Sequence, residues 1–204
     1  MAETFPFSVR STRLGVVSGL TYGRDRGGLI ISSRNVEPYW SGTFSTAPLT
    51  REDRAEALAF LDDCVDRNLR VDFIHPLYRY PVGYNSATWP LGLVDASLGS
   101  VTNLRTIVVA GLQVGTVLRK GSRLCLIQGS TICYRKVTAE VTVASAIAQS
   151  LSIGPRLPPG IFAPAATVRF ANPFVRMMVV PESWDPDEDI EDTEVSWEMM
   201  EVLA

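Results

Sequence analysis

Histidine is almost absent from this chain: His75 is the only one in 204 residues. It sits in "HPLY", with no second ligand of the usual kind nearby, so neither a histidine-based metal site nor a Ser-His-Asp triad is expected. The nucleophile pattern G-x-S-x-G is missing as well. The three cysteines, Cys64, Cys125 and Cys133, follow no metal spacing. Cys64 lies among Asp62, Asp63 and Asp66, whose charges oppose thiolate formation. No stretch approaches 18 uninterrupted apolar residues, so no membrane-spanning helix is expected. The start, "MAETFPFSVRSTRLG", lacks the basic and apolar blocks of a secretory signal, which predicts a protein made and used without export through that route.

Phosphate-binding signals are missing too. "GRDRGG" has no helix after it and no Lys-Ser/Thr pair. "DPDEDIEDTE" is rich in carboxylates but lacks the alternating ligands, central glycine and terminal glutamate of a calcium loop. Catalytic, cofactor-binding and metal residues are therefore all expected to be none, and the chain is read as not an enzyme.

Base is lacking at one end. Residues 182–204 hold ten acids and no Lys or Arg, while residues 1–181 hold all 19 basic residues against 12 acids, a net of +7. The overall charge of −3 thus conceals a mildly basic body with an acidic end. Hydrophobic residues make up 46% and charged residues 20%, enough apolar material for a packed core.

Short apolar runs at 14–22 and 28–34 read as two strands around "GRDRGG". In "PYWSGTFSTAPLT", Trp40, Phe44 and Thr46 alternate with Tyr39, Thr43 and Ser45, the pattern of a half-buried strand. Thr50 then caps a helix over 50–68, with Glu52 and Asp53 in its first turn and an apolar stripe of Ala55, Leu58, Leu61 and Val65. Asn68 is its expected stop. Val71 and Phe73 alternate with Arg70 and Asp72 in a returning strand. Residues 79–100 read as a linker.

Beyond it, strands are expected near 105–110, 123–128, 131–137, 138–144, 166–171 and 174–180, with "GPRLPPGIFAPA" as a surface loop. The final "TEVSWEMMEV" places Val195, Trp197 and Met199 on one strand face. The predicted class is mainly β with one clear α-helix. A β-sandwich or sheet domain, 1–95 and 182–204, would carry an inserted small β-barrel (OB-like) over 96–181.

"RKGSRLCLIQGSTICYRKV", residues 119–137, reads as a hairpin of that barrel. Its basic residues are Arg119, Lys120, Arg123, Arg135 and Lys136. Base stacking or sugar binding would require interleaved exposed aromatics, and Tyr134 is the only aromatic in the hairpin. Specific nucleic-acid binding is disfavoured. A basic rim facing acidic protein partners, such as another copy's acidic end, fits better. With a three-residue turn Cys125 would face Cys133 and a disulfide would be conceivable; packing of two reduced thiols is the preferred reading.

Several segments together resemble the distal tail proteins of long-tailed (siphophage-type) bacteriophages, in the compact form with an inserted oligonucleotide/oligosaccharide-binding-fold barrel. They are "EPYWSGTFSTAPLTREDRAEALAFLDDCVDRNLRVDFIHPLYRYPVG", "LRKGSRLCLIQG" with "YRKVTAEVTV", "ATVRFANPFVRMMVVPESW" and the closing "TEVSWEMMEV". The resemblance implies a virion structural protein, made in the host cytoplasm and located at the tail tip. It implies a homo-oligomeric ring, typically a hexamer, that joins the tail tube protein to hub, baseplate or tail-fibre proteins. No catalytic residues carry over. Trp40, Phe44 and Trp197 are interface candidates together with the hairpin rim, although burial in their own core is favoured. The alternative is an OB-type binding module for glycan or single-stranded nucleic acid.

Overall fold

A computed structural model describes residues 2–3, 8–18, 20–24, 30–34, 37–90, 95–184 and 194–203. The elements before the barrel are β1 (Ala2–Glu3), β2 (Val9–Val17), β3 (Leu20–Arg24), β4 (Ile30–Arg34), β5 (Tyr39–Thr46), α1 (Arg51–Asp66) and β6 (Arg70–Ile74). Then follow β7 (Asp95–Asn103), β8 (Thr106–Ala110), β9 (Val117–Leu118), β10 (Arg123–Gln128), β11 (Thr131–Val137), β12 (Val141–Thr142), β13 (Gln149–Gly154) and β14 (Thr167–Arg169). The chain ends with β15 (Phe174–Val179) and β16 (Ser196–Glu201). The fold is mainly β with one helix. A six-stranded sheet has the order β1-β6-β15-β16-β5-β2, and a closed barrel has the order β10-β11-β13-β8-β7-β14. Among the described residues no helix is long and apolar enough to cross a membrane.

The sheet follows from period-2 patterning. Trp40, Phe44 and Thr46 are buried on β5, Val71 and Phe73 on β6, and Trp197 and Met199 on β16. Helix α1 packs over this face. Thr50 accepts the Asp53 N–H at 3.2 Å, which satisfies one of the unpaired donors of the first turn. The helix ends in a Schellman motif. Asn68 turns to φ +53°, its N–H donates to Val65 and that of Leu69 to Cys64, so the last carbonyls are paired. The buried stripe is Ala57, Leu61 and Cys64. It is rotated from the expected one: Ala55 is exposed and Leu58 and Val65 only flank the core.

Four further differences concern the barrel and its approaches. The run at 174–180, expected with the barrel, is β15 and pairs with β6 and β16 in the sheet. Barrel strands therefore span 95–169. Strands β7 and β13 were not foreseen from the sequence. The expected linker is partly built into the barrel. Trp89 is buried beside Phe170 and Tyr84, and the Tyr84 hydroxyl accepts the Val117 N–H. The "GPRLPPGIFAPA" loop is anchored by buried Leu157 and Pro158 rather than wholly on the surface. The turn expected at "GRDRGG" and most of the acidic run "DPDEDIEDTE" lie outside the described residues.

Inside the barrel Leu98, Ile107, Leu124, Leu126, Leu151 and Val168 form one core. The outer face of β10 and β11 contributes Cys125, Ile132 and Tyr134 to the core under the sheet and helix. The barrel is thus seated against the sheet through that hairpin.

Candidate functional site

Hairpin β10–β11 turns through two residues, Gly129 and Ser130, with Gln128 opposite Thr131. Gly129 has φ +60°, at the first central position, which a type II′ turn reserves for glycine. A two-residue turn shifts the pairing by one from a three-residue one. Cys125 lies opposite Tyr134 and Cys133 opposite Leu126. Side chains alternate faces, so Cys133 points into the barrel core and Cys125 into the sheet core. All three cysteines are free and buried. Burial pushes the Cys125 thiol up to about 12 and the Cys133 thiol up as well.

The backbone of Tyr134 is held by side chains of the sheet. Its N–H donates to Glu201 Oε1 at 3.1 Å, and its carbonyl accepts from the Trp40 indole Nε1 at 2.8 Å and from Arg135 Nη1 at 2.6 Å. Glu201 accepts also from the Trp40 backbone N–H at 3.0 Å and from Arg135 Nη1 at 3.1 Å. The Arg135 and Glu201 side chains are 0% and 1% exposed. Arg135 is therefore an internal cation and not part of a rim. Strand parity explains its burial: Cys133, Arg135 and Val137 share the inward face of β11, and all three are buried. Burial raises the Glu201 carboxyl above the ordinary carboxylate range, opposed first by Arg135 and then by the N–H groups of Trp40 and Tyr134.

Arg123 occupies an aromatic box beside this node. Its guanidinium carbon is 4.7 Å from the Trp40 ring centroid, 4.6 Å from that of Tyr78 and 5.9 Å from that of Tyr134. Its Nε and Nη1 are buried without a hydrogen-bond partner, so ring faces stand in for acceptors. His75 adjoins the box, 4.7 Å from Tyr78 between ring centroids. Its Nδ1 accepts the Leu77 N–H, a bond that only the imidazole without a proton on Nδ1 can accept. Burial and then the Arg123 charge lower its pKa. Acidic groups are thus raised and the histidine is lowered, all toward their neutral forms.

The remaining predicted residues fall in four places. Arg119 and Lys120 are exposed in the turn before β10, and Lys136 is half-buried at the end of β11. Phe44 and Trp197 are buried, their rings stacked 5.8 Å apart in the sheet core. Trp40 is buried at the junction. The structure brings Trp40, Arg123 and Arg135 together at the junction, places Phe44 and Trp197 in the same sheet core as Trp40, and leaves Arg119, Lys120 and Lys136 outside that group. Sequence reading missed Glu201 and Tyr78. Glu201 falls on the buried parity of its strand, after Val195, Trp197 and Met199, and a carboxylate in that position calls for an internal cation. No group of three His, Cys, Asp or Glu residues that could hold a metal occurs among the described residues. Neither a protein-family model nor a curated protein matches the chain.

Proposed function

We propose that this chain is a structural subunit of a homo-oligomeric ring. Together with the resemblance to distal tail proteins, the reading is a phage tail-tip adaptor, a hexamer joining the tail tube to the hub and receptor-binding machinery. One observation carries the assembly part: among the described residues the sheet edge at β2 is open. Strand β2, nine residues long, pairs with β5 on one side, and among the described residues nothing pairs with its other side. Val16 and Val17 on it are each 39% exposed. A long edge strand is a template for another chain. Strands β3 and β4 pair only with each other among the described residues, and an isolated two-stranded ribbon is marginal in water without a further packing surface. Both features find their partner in a neighbouring subunit.

The barrel's aromatics favour this over the ligand-binding alternative. Tyr134 and Phe170 are buried and Phe162 packs partly buried against the barrel core, which leaves little ring face for stacking. Light scattering after gel filtration, with negative-stain electron microscopy, tests the proposal. The expected result is a closed ring of identical subunits. A protein that stays monomeric at high concentration, with no ring on the grid, refutes it.

A further inference from the structure

A groove of about 430 Å³ opens where the far end of β2 meets the barrel. Val16 forms its sheet side; Arg105, Thr106, Lys136, Thr138 and Ser152 line the barrel side. Neither Arg105 nor Lys136 has a carboxylate partner among the described residues, although nearby Arg156 is paired with Glu37 through two hydrogen bonds. With three hydroxyls beside them, the two cations make a donor-rich surface that selects an anionic, acceptor-rich occupant. Val16 also belongs to the open edge of β2, so a subunit docked on that edge lies next to the groove.

The chain holds a matching anion. "DPDEDIEDTE", residues 185–194, carries seven carboxylates and no base. Its last member, Glu194, is fixed to Arg10 by an ion pair of 2.7 Å, at the opposite end of β2 from Val16. Six residue steps along the strand separate Arg10 from Val16, roughly 20 Å at about 3.4 Å per residue. The middle of a run anchored at Trp184 and Glu194 reaches at most about 17 Å when fully stretched, at full cost in chain entropy. In a neighbouring copy the distance from those anchors to this groove is set by the docking and not by the length of β2. The basic groove and Glu194, the end of the acidic run, lie at opposite ends of one strand, the arrangement of a head-to-tail contact, which closes into a ring when its rotation closes.

We infer that the Arg105–Lys136 groove receives the acidic run of a second copy, 185–192, and so sets the head-to-tail direction of assembly. This rests on the ring reading and adds its electrostatic contact. Two measurements test it. In the first, wild type, Arg105→Glu with Lys136→Glu, and a variant with the acids of 185–192 changed to Asn and Gln are compared by sedimentation velocity at low and high salt. In the second, a labelled peptide of residues 185–194 is titrated by anisotropy with the full-length neutralised variant, whose own run cannot compete. Circular dichroism checks that each variant is folded.

Each variant is expected to weaken association tenfold or more. Peptide binding is expected to fall at least tenfold both with the groove reversal and between low and high salt, as screening requires. Association and peptide binding that ignore the groove reversal overturn the inference, even if rings still form and the ring reading stands. A monomeric wild type sinks the ring reading. If that monomer also refuses the peptide while the neutralised variant binds it, the run occupies its own groove and the second-copy assignment falls.

Discussion

Glu201 is the residue whose loss the junction should feel most. Its carboxylate collects three donors: the N–H groups of Trp40 and Tyr134 and the guanidinium of Arg135. Neither Glu201 nor Arg135 has meaningful solvent access. Replacing a buried ion pair with apolar groups can be neutral, but removing one partner leaves the other charge buried and uncompensated, a loss of about 3–5 kcal/mol. Glu201→Gln keeps the shape and one acceptor oxygen, so that range applies with little cavity contribution. For a protein of this size about 1 kcal/mol shifts Tm by about 2–4 °C, and the variant should melt about 6–20 °C below wild type. Urea unfolding followed by tryptophan fluorescence measures the loss directly, since Trp40 reports from the junction. Arg135→Met in the Glu201→Gln background removes the stranded charge, and the double variant should lose less than the sum of the singles, by about 1–3 kcal/mol. A loss under about 1 kcal/mol for Glu201→Gln, or strict additivity, would refute the account of an internal pair locking barrel to sheet.

Three other outcomes are expected. Native protein should show no thiol reactive toward Ellman's reagent at pH 8, and three after denaturation, because all three cysteines are buried and the Cys125 thiol is pushed up to about 12; rapid native labelling would contradict the packing. His75 has a lowered pKa in the fold, so the unfolded chain takes up its proton first and stability should fall as pH drops below the ordinary value of about 6.5 toward the lowered one; pH-dependent urea melts should lose this slope in His75→Gln, and an unchanged slope would count against it. A Cβ at Gly42 would sit 2.8 Å from the Arg13 carbonyl oxygen and 3.2 Å from Leu14 Cα. Gly42→Ala should therefore cost about 1–3 kcal/mol by overpacking and weaken self-association by displacing β2; gel filtration and urea melts check both.

Legibility in the sequence tracked side-chain alternation and local capping. Helix α1 was readable because Thr50, the first-turn acids and Asn68 all act within a few residues of where they sit. Strand β16 was readable because three large apolar residues alternate with polar ones. Strand β7, "DASLGSVTN", escaped notice: only Ala96 and Leu98 are buried in it, and Gly99, Ser100 and Asn103 read as loop. Strand β15 was placed in the wrong module because alternation shows that one face is buried and not what covers it. Arg135 looked like rim because charge near a hairpin end normally faces solvent, and its carboxylate lies 66 residues away in sequence. The hairpin register hung on a single residue of turn length, which decided whether the two cysteines could meet. The edge of β2 could not be read at all, since an open edge belongs to the assembled sheet and to no single strand.

Strands β6 and β15 are hydrogen-bonded neighbours, with Ile74 opposite Phe174, although the whole barrel lies between them in the chain. The polypeptide leaves the sheet and re-enters it at adjoining points on two paired strands. An insertion with that geometry can be exchanged without changing the strand order around it. Such an exchange is constrained where the two meet: a replacement must supply an acceptor for the Trp40 indole, donors for Glu201, and apolar cover for the sheet core, which Cys125, Ile132 and Tyr134 now give.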